Sequence, residues 1–347
     1  MPRIGIVYAL LSALAFGVSA PAAKLLLGRG LDPFILAGLL YLGSGCGLAV
    51  LWAFRRRSSE EAPLRVGDIP RLLLITMFGG VLGPLLLMLG LAATPAGTAA
   101  LLLNTEAVAT MLIAWLIYRE ATDARLVAGA LAILGGAVLL AWSGPGGFSP
   151  GALAVIGACI AWGIDNNLTR QLASRDPLQI AAVKGAVAGP VNLAIGMLAG
   201  HLVPASSDLA IALALGFVSY GVSLVLFILA LRHVGTARTG AYFATAPFIG
   251  AGLAVAFLGE PVTGRFALAA ALIGIGVYLH LSEVHEHEHE HDAQFHDHRH
   301  VHDAHHQHAH GPEDPRGEPH SHPHRHPRLK HSHRHYPDLH HGHRHAG

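Results

Sequence analysis

Apolar stretches of about twenty residues, the length a helix needs to cross a bilayer, follow one another from the start of the chain to about residue 282. The pattern predicts membrane helices at 4–27, 33–54, 71–93, 96–118, 125–142, 151–170, 178–200, 209–231, 236–258 and 265–282. The connections are short and rich in Gly and Pro, as in Ser143-Gly144-Pro145-Gly146-Gly147-Phe148-Ser149-Pro150. Inside lipid only a helix satisfies the backbone of such a segment, so the predicted fold class is all-α, a polytopic membrane protein of about ten transmembrane helices. The first stretch follows Arg3 as a secretory signal would, but it is too long for a signal core and is read as an uncleaved first helix. Beyond residue 282 the apolar pattern stops.

Composition supports this reading. The hydrophobic set makes up 52% of the 347 residues and charged residues 13%, against about a quarter charged in soluble domains. Mean hydropathy is +0.46 even with a polar tail included. These values exclude a soluble enzyme, a disordered scaffold and a disulfide-stapled secreted domain. The two Cys, Cys46 and Cys159, lie in apolar runs and read as packing residues.

The net charge of +1 conceals a strong segregation. With the N-terminus inside, the cytoplasmic side receives Arg3, Arg55, Arg56, Arg57, Arg65, Arg71, Arg119, Arg125, Arg170, Arg175, Arg232 and Arg238. The outside receives Arg29, Arg265 and a snorkelling Lys24. Both termini are therefore expected in the cytoplasm of a cell whose inner membrane holds the protein.

The two halves echo each other. Ala15-Phe16-Gly17 returns as Ala161-Trp162-Gly163, Asp32-Pro33 as Asp176-Pro177, Gly45 as Gly189, and Arg119-Glu120 with Arg125 as Gly259-Glu260 with Arg265. Five helices per unit is an odd number, so the second copy enters the membrane the other way up. Two inverted five-helix repeats, 1–142 and 151–282, are thus expected ahead of a tail at 283–347, with a binding site near the midplane between them.

The motifs Ala15-Phe16-Gly17-Val18-Ser19-Ala20-Pro21-Ala22-Ala23-Lys24, Ala161-Trp162-Gly163-Ile164-Asp165-Asn166-Asn167-Leu168-Thr169-Arg170, and Ala246-Pro247 with Gly259-Glu260 resemble the EamA-type members of the drug/metabolite transporter superfamily. The resemblance spans about residues 4–282 and implies ten helices around a central cavity. It leaves the cargo open, because the family moves amino acids, metabolites, sugars and drugs. The fourth helix departs from the family pattern: it reads Asn104-Thr105-Glu106-Ala107 where Pro is usual.

Ionisable groups inside the hydrocarbon are costly and tend to be functional or paired. Glu106 lies half-way along the fourth helix. It reads as a proton-coupling carboxylate or a counter-ion for a cationic substrate, with a protonated core residue as the bland alternative. Asp165 and Lys184 lie about 8–9 Å below the same membrane face on consecutive helices, so they are expected to pair, as a structural bridge or as a gate. Their first-half counterparts, Ser19 and Leu40, are uncharged. Asn104, Asn166, Asn167 and Asn192 are candidate interhelical hydrogen-bond formers. The spacings Gly43 to Gly47 and Gly185 to Gly189 permit close helix approach, Pro21, Pro84, Pro190 and Pro247 free helix carbonyls, and Trp162 and Tyr242 are candidate cavity walls. The expected substrate-binding or coupling set is Asn104, Glu106, Trp162, Asp165, Asn166, Lys184 and Tyr242.

Of 26 His, only His201, His233 and His280 precede residue 285. The tail opens His285-Glu286-His287-Glu288-His289-Glu290-His291 and continues through His296, His298, His300 and His302 to His345. It lacks the apolar residues a core needs and is expected to be disordered. Dense imidazole suits Zn, Ni and Co, so these eight His are candidate metal ligands in multisite, promiscuous binding. Attraction of a protonating tail to anionic lipid is the alternative. His285-Glu286-His287-Glu288-His289 matches the H-E-x-x-H pattern by repetition alone.

The expected function is secondary active transport, in the export direction, of a small metabolite, drug-like solute or amino acid by alternating access. No catalysis, required cofactor or nucleic-acid partner is expected, and assembly as a homodimer is left open. Alternatives are a Ni, Co or Zn exporter whose tail collects ions, and a membrane-anchored metal sensor or store.

Overall fold

The computed structural model describes residues 2–55, 62–119, 122–172, 175–203 and 206–281, and in the tail 285–291, 294–300, 320–326 and 329–335. Ten helical stretches among them are long and apolar enough to cross a membrane: Ile4–Gly28, Pro33–Phe54, Val66–Ala93, Ala96–Tyr118, Ala124–Ala141, Pro150–Arg170, Pro177–Leu198, Ser207–Ala230, Arg238–Leu258 and Gly264–Leu281. Side chains such as Phe54, Leu116, Ile117, Leu131 and Phe257 are more than 60% exposed and form an apolar outer belt. In water so much exposed apolar surface would mark an interaction site or drive aggregation.

Several spans are broken, and each break has a local cause. The first is two helices, Pro2–Gly17 and Ser19–Gly28. Pro21 has no N–H for the Gly17 carbonyl and its ring crowds that turn. The fourth divides into Ala96–Leu102 and Thr105–Tyr118. There Asn104 Nδ2 donates to the Leu101 carbonyl at 2.9 Å and Thr105 Oγ1 to the Leu102 carbonyl at 2.7 Å, so polar side chains take over carbonyls at the break. Asn104 was expected to bond between helices and instead bonds within its own. The ninth breaks at the matching point, before Ala246–Leu258, where Pro247 removes a backbone donor. The same interruption is thus reached by two chemistries, which accounts for the missing Pro in the fourth span.

The eighth and ninth spans share the helical segment Ser223–Phe243. The Phe227 and Phe243 rings lie 5.0 Å apart, whereas a straight helix would separate them by about 24 Å. The chain therefore doubles back between them.

The packing follows a two-fold exchange of halves. Spans two and seven meet backbone to backbone: a Cβ on Gly45 would lie 2.3 Å from the Ala186 nitrogen, and one on Gly185 would lie 2.6 Å from the Gly45 Cα. Spans five and ten meet at Gly129 and Gly276, where each added Cβ would reach the other's carbonyl at 2.9 and 2.5 Å. Small residues let bare helix backbones approach in this way. Loop ion pairs obey the same exchange. Arg175 binds Asp68 at 2.8 Å on the face where the first span begins and the tenth ends, and Arg29 binds Asp208 at 3.0 Å on the opposite face. The fold is all-α, two five-helix repeats in inverted orientation.

In the tail, His285–His291 pairs antiparallel with Leu329–His335, and Gln294–His300 with His320–His326. Alternating His has the two-residue period of an extended strand, and the register sets His289 opposite His331 and His298 opposite His322. His285, His287, His289 and His291 occupy alternate positions of one strand, and His296, His298 and His300 of another. His302 lies outside the described residues.

Candidate functional site

The organising feature is a proline in the third span. Thr76–Leu82 is π-helical and Gly83–Ala93 is α-helical with Pro84 in its first turn. In the π ladder the Gly79 carbonyl would pair with residue 84, and in the α ladder the Gly80 carbonyl would do so. Pro84 has no N–H to give to either. Three other spans supply the donors instead. Tyr41 Oη donates to the Gly79 carbonyl at 2.7 Å, Trp162 Nε1 donates to the same oxygen at 3.0 Å, and Asn192 Nδ2 donates to the Gly80 carbonyl at 3.0 Å.

Directly against this segment lies the Asp165–Lys184 ion pair, with the ammonium donating to Asp165 Oδ2. Thr169 Oγ1 donates to the other carboxylate oxygen at 3.2 Å. The two side chains are 6% and 18% exposed. Only glycine fits opposite them: a Cβ on Gly79 would sit 2.0 Å from Asp165 Oδ2 and 2.6 Å from Lys184 Nζ.

Glu106 stands in the first turn of the second half of the fourth span. Asn166 Nδ2 donates to Glu106 Oε1 at 2.9 Å and lies 3.2 Å from Thr110 Oγ1. Asn167 Nδ2 ties the same two spans through the Thr110 carbonyl at 3.0 Å.

These groups surround one cavity of about 560 Å³. Asn104, Glu106, Trp162, Asp165, Asn166 and Lys184 all line it, so the structure brings together six of the seven residues expected from sequence. Tyr242 does not line it and is half-buried beside its neighbours Phe243 and Ala244, which do. The helical phase after the fold-back decides this, and the apolar sequence gave no means of fixing it.

Sequence reasoning missed Phe16, Tyr41, Tyr220, Phe243 and His280 as lining residues. Phe16 and Trp162 were legible as a repeat-related pair, since both occupy the middle of an Ala-aromatic-Gly motif. His280 was legible only as an isolated His; its ring nitrogen lies 3.1 Å from the Leu126 carbonyl.

The cavity reaches His280 and Leu281 at the end of the tenth span, so it extends toward the face that carries the chain ends. None of its described lining residues comes from a loop on the opposite face. There the spans are tied by half-buried charged side chains. Lys24, expected to snorkel outward, donates to the Leu91 and Thr94 carbonyls at 2.6 and 2.9 Å, where a cation suits a helix C-terminus. Glu260 accepts from the Ala96 and Gly97 amides at 2.5 and 2.8 Å, joining the two halves. Among the described residues no group of three or more His, Cys, Asp or Glu is placed to hold a metal ion.

Comparisons with known proteins agree with this architecture. A protein from Methanothermobacter thermautotrophicus named "uncharacterized transporter" is 31% identical over 280 residues, 75% of this chain and 80% of that protein. A crystal structure shares the fold at a TM-score of 0.56 and 21% identity, over 80% of this chain and 94% of that one. The family description EamA-like transporter matches twice, over residues 3–142 and 149–282. With two matched repeats covering nearly all of its membrane part, the chain belongs to the EamA-like transporter family, consistent with the drug/metabolite transporter superfamily.

Proposed function

We propose that the protein is a secondary active exporter that moves a small organic solute through the 560 Å³ cavity by alternating access. The observation that carries this reading is a cavity between inverted halves, aromatic-walled with a few charged and polar groups, extending to one membrane face and crossed by part-buried hydrogen bonds at the other. The excess of Arg on one side supports placing the open face, and both termini, in the cytoplasm. Cargo then loads from inside, contacts Glu106, Asn166 and the aromatic walls, and leaves when the halves exchange roles. The Asp165–Lys184 pair acts as the coupling element, because it is held between spans three, six and seven at the cavity wall.

Ala107 lines the cavity and is exposed, so an Ala107→Cys variant in a Cys46→Ser background reports access. In membrane vesicles of both orientations, an impermeant maleimide should reach the new thiol from each face in turn as cargo conditions change. Reactivity restricted to one face under every condition would overturn alternating access.

One observation favours a second reading, the concentration of 23 of 26 His beyond position 284. In that reading the tail gathers Ni, Co or Zn and the membrane part exports it. Removing residues 283–347 separates the two. Loss of metal tolerance with unchanged organic flux favours metal handling by the tail.

A further inference from the structure

We infer that the cargo class of this cavity is an organic cation with an aromatic or aliphatic body, held by Glu106 as its counter-ion. The inference rests on the transport reading above and names its substrate chemistry.

Charge balance comes first. Among the described residues, the charged groups lining the cavity are Glu106, Asp165 and Lys184, with His280 as a further titratable group. Lys184 is already bound to Asp165. Further ion pairs are Arg29–Asp208, Arg175–Asp68 and His201–Asp32, and none of these residues is among the described lining residues. Glu106 is left with a neutral amide, Asn166, as its hydrogen-bond partner among the described residues. Among the described lining residues, Glu106 is therefore the one carboxyl without a cationic partner. A cation entering the cavity regains in Glu106 what it loses in hydration, whereas an anion meets repulsion and a cation of the wall that is already bound.

The walls add the second half of the recognition. Phe16, Tyr41, Trp162, Tyr220 and Phe243 line the same cavity. Phe16 packs on Tyr220 at 5.8 Å and on Phe243 at 5.5 Å, and Tyr41 on Tyr220 at 5.7 Å. The result is a continuous aromatic surface rather than scattered rings. Aromatic faces attract cations by their quadrupole and accept apolar bodies by contact area. A small dehydrated metal ion would need several converging donors, whereas a substituted ammonium needs one carboxylate and an aromatic cage.

The test compares three ligands that share a phenyl ring: benzyltrimethylammonium, phenylalanine and phenylacetate. In the Ala107→Cys, Cys46→Ser protein, benzyltrimethylammonium should protect the thiol from maleimide and phenylacetate should not. Adding Glu106→Gln should raise the cation concentration needed for half-protection by about tenfold or more. Protection by phenylalanine or phenylacetate at equal or lower concentration, or an unchanged cation response in Glu106→Gln, would overturn the inference and leave transport standing. If the thiol reacts from neither face, the transport reading itself fails.

Discussion

Both halves carry a π-helical segment in their third helix, Thr76–Leu82 and Phe217–Val222, yet the two are chemically unlike. In the first, Pro84 frees two glycine carbonyls, which draw in Tyr41, Trp162 and Asn192 and seat the Asp165–Lys184 pair. In the second no proline follows at position 224. Ser219 is buried without a partner for its hydroxyl, and nearby Ser12 and Ser223 exchange hydroxyl-to-carbonyl bonds at 2.7 and 2.9 Å. The duplicated backbone provides the frame, and the chemistry gathers where the duplication has been broken. π-helical turns are frequent at functional sites; here one of two copies has acquired the charged pair.

The ion pair offers the sharpest way to break the contrast. Lys184→Met leaves Asp165 buried without its partner and should destabilise the protein by about 3–5 kcal/mol, read as a large fall in melting temperature in detergent. At Ser19, the first-half counterpart of Asp165, replacement by Ala should change little. Exchanging the charges, Asp165→Lys with Lys184→Asp, should recover stability and flux lost in each single change; no recovery would remove the pairing from the mechanism.

A smaller effect is expected at the backbone. Gly79→Ala forces its methyl onto the ion pair and should cost about 1–3 kcal/mol. Gly221→Ala in the second segment meets the Phe217 ring at 3.2 Å, a contact that a side chain can relieve by a small shift. Equal losses in the two variants, measured by the same melting assay, would mean that the two segments are held alike. The smallest effect belongs to Ser219→Ala. Removing a hydroxyl that has no partner spares its desolvation penalty and should leave stability unchanged or slightly raised. A clear loss would reveal a bond made by Ser219 in another transport state.

Much of this was legible in advance where the physics is local. Hydrophobic runs placed all ten spans to within a few residues, except that the third begins earlier, at Val66. The ion pair was readable because two charges at equal depth on consecutive helices have little else to bind in lipid. The phase of Tyr242 was not readable, since in an apolar helix no periodic polarity marks the inward face. Nor was the fold-back within Ser223–Phe243, where the helical pattern continues through the turn.

What the sequence determined alone was the lipid-spanning all-helical architecture and its inverted duplication, because backbone polarity in hydrocarbon admits so few solutions. Only the tertiary structure decided which carbonyls Pro84 released, which distant donors took them, and which aromatic rings closed around Glu106. The donors to those carbonyls come from up to 112 positions away, and side chains so far separated meet only when close-packed glycines have set the helices in place.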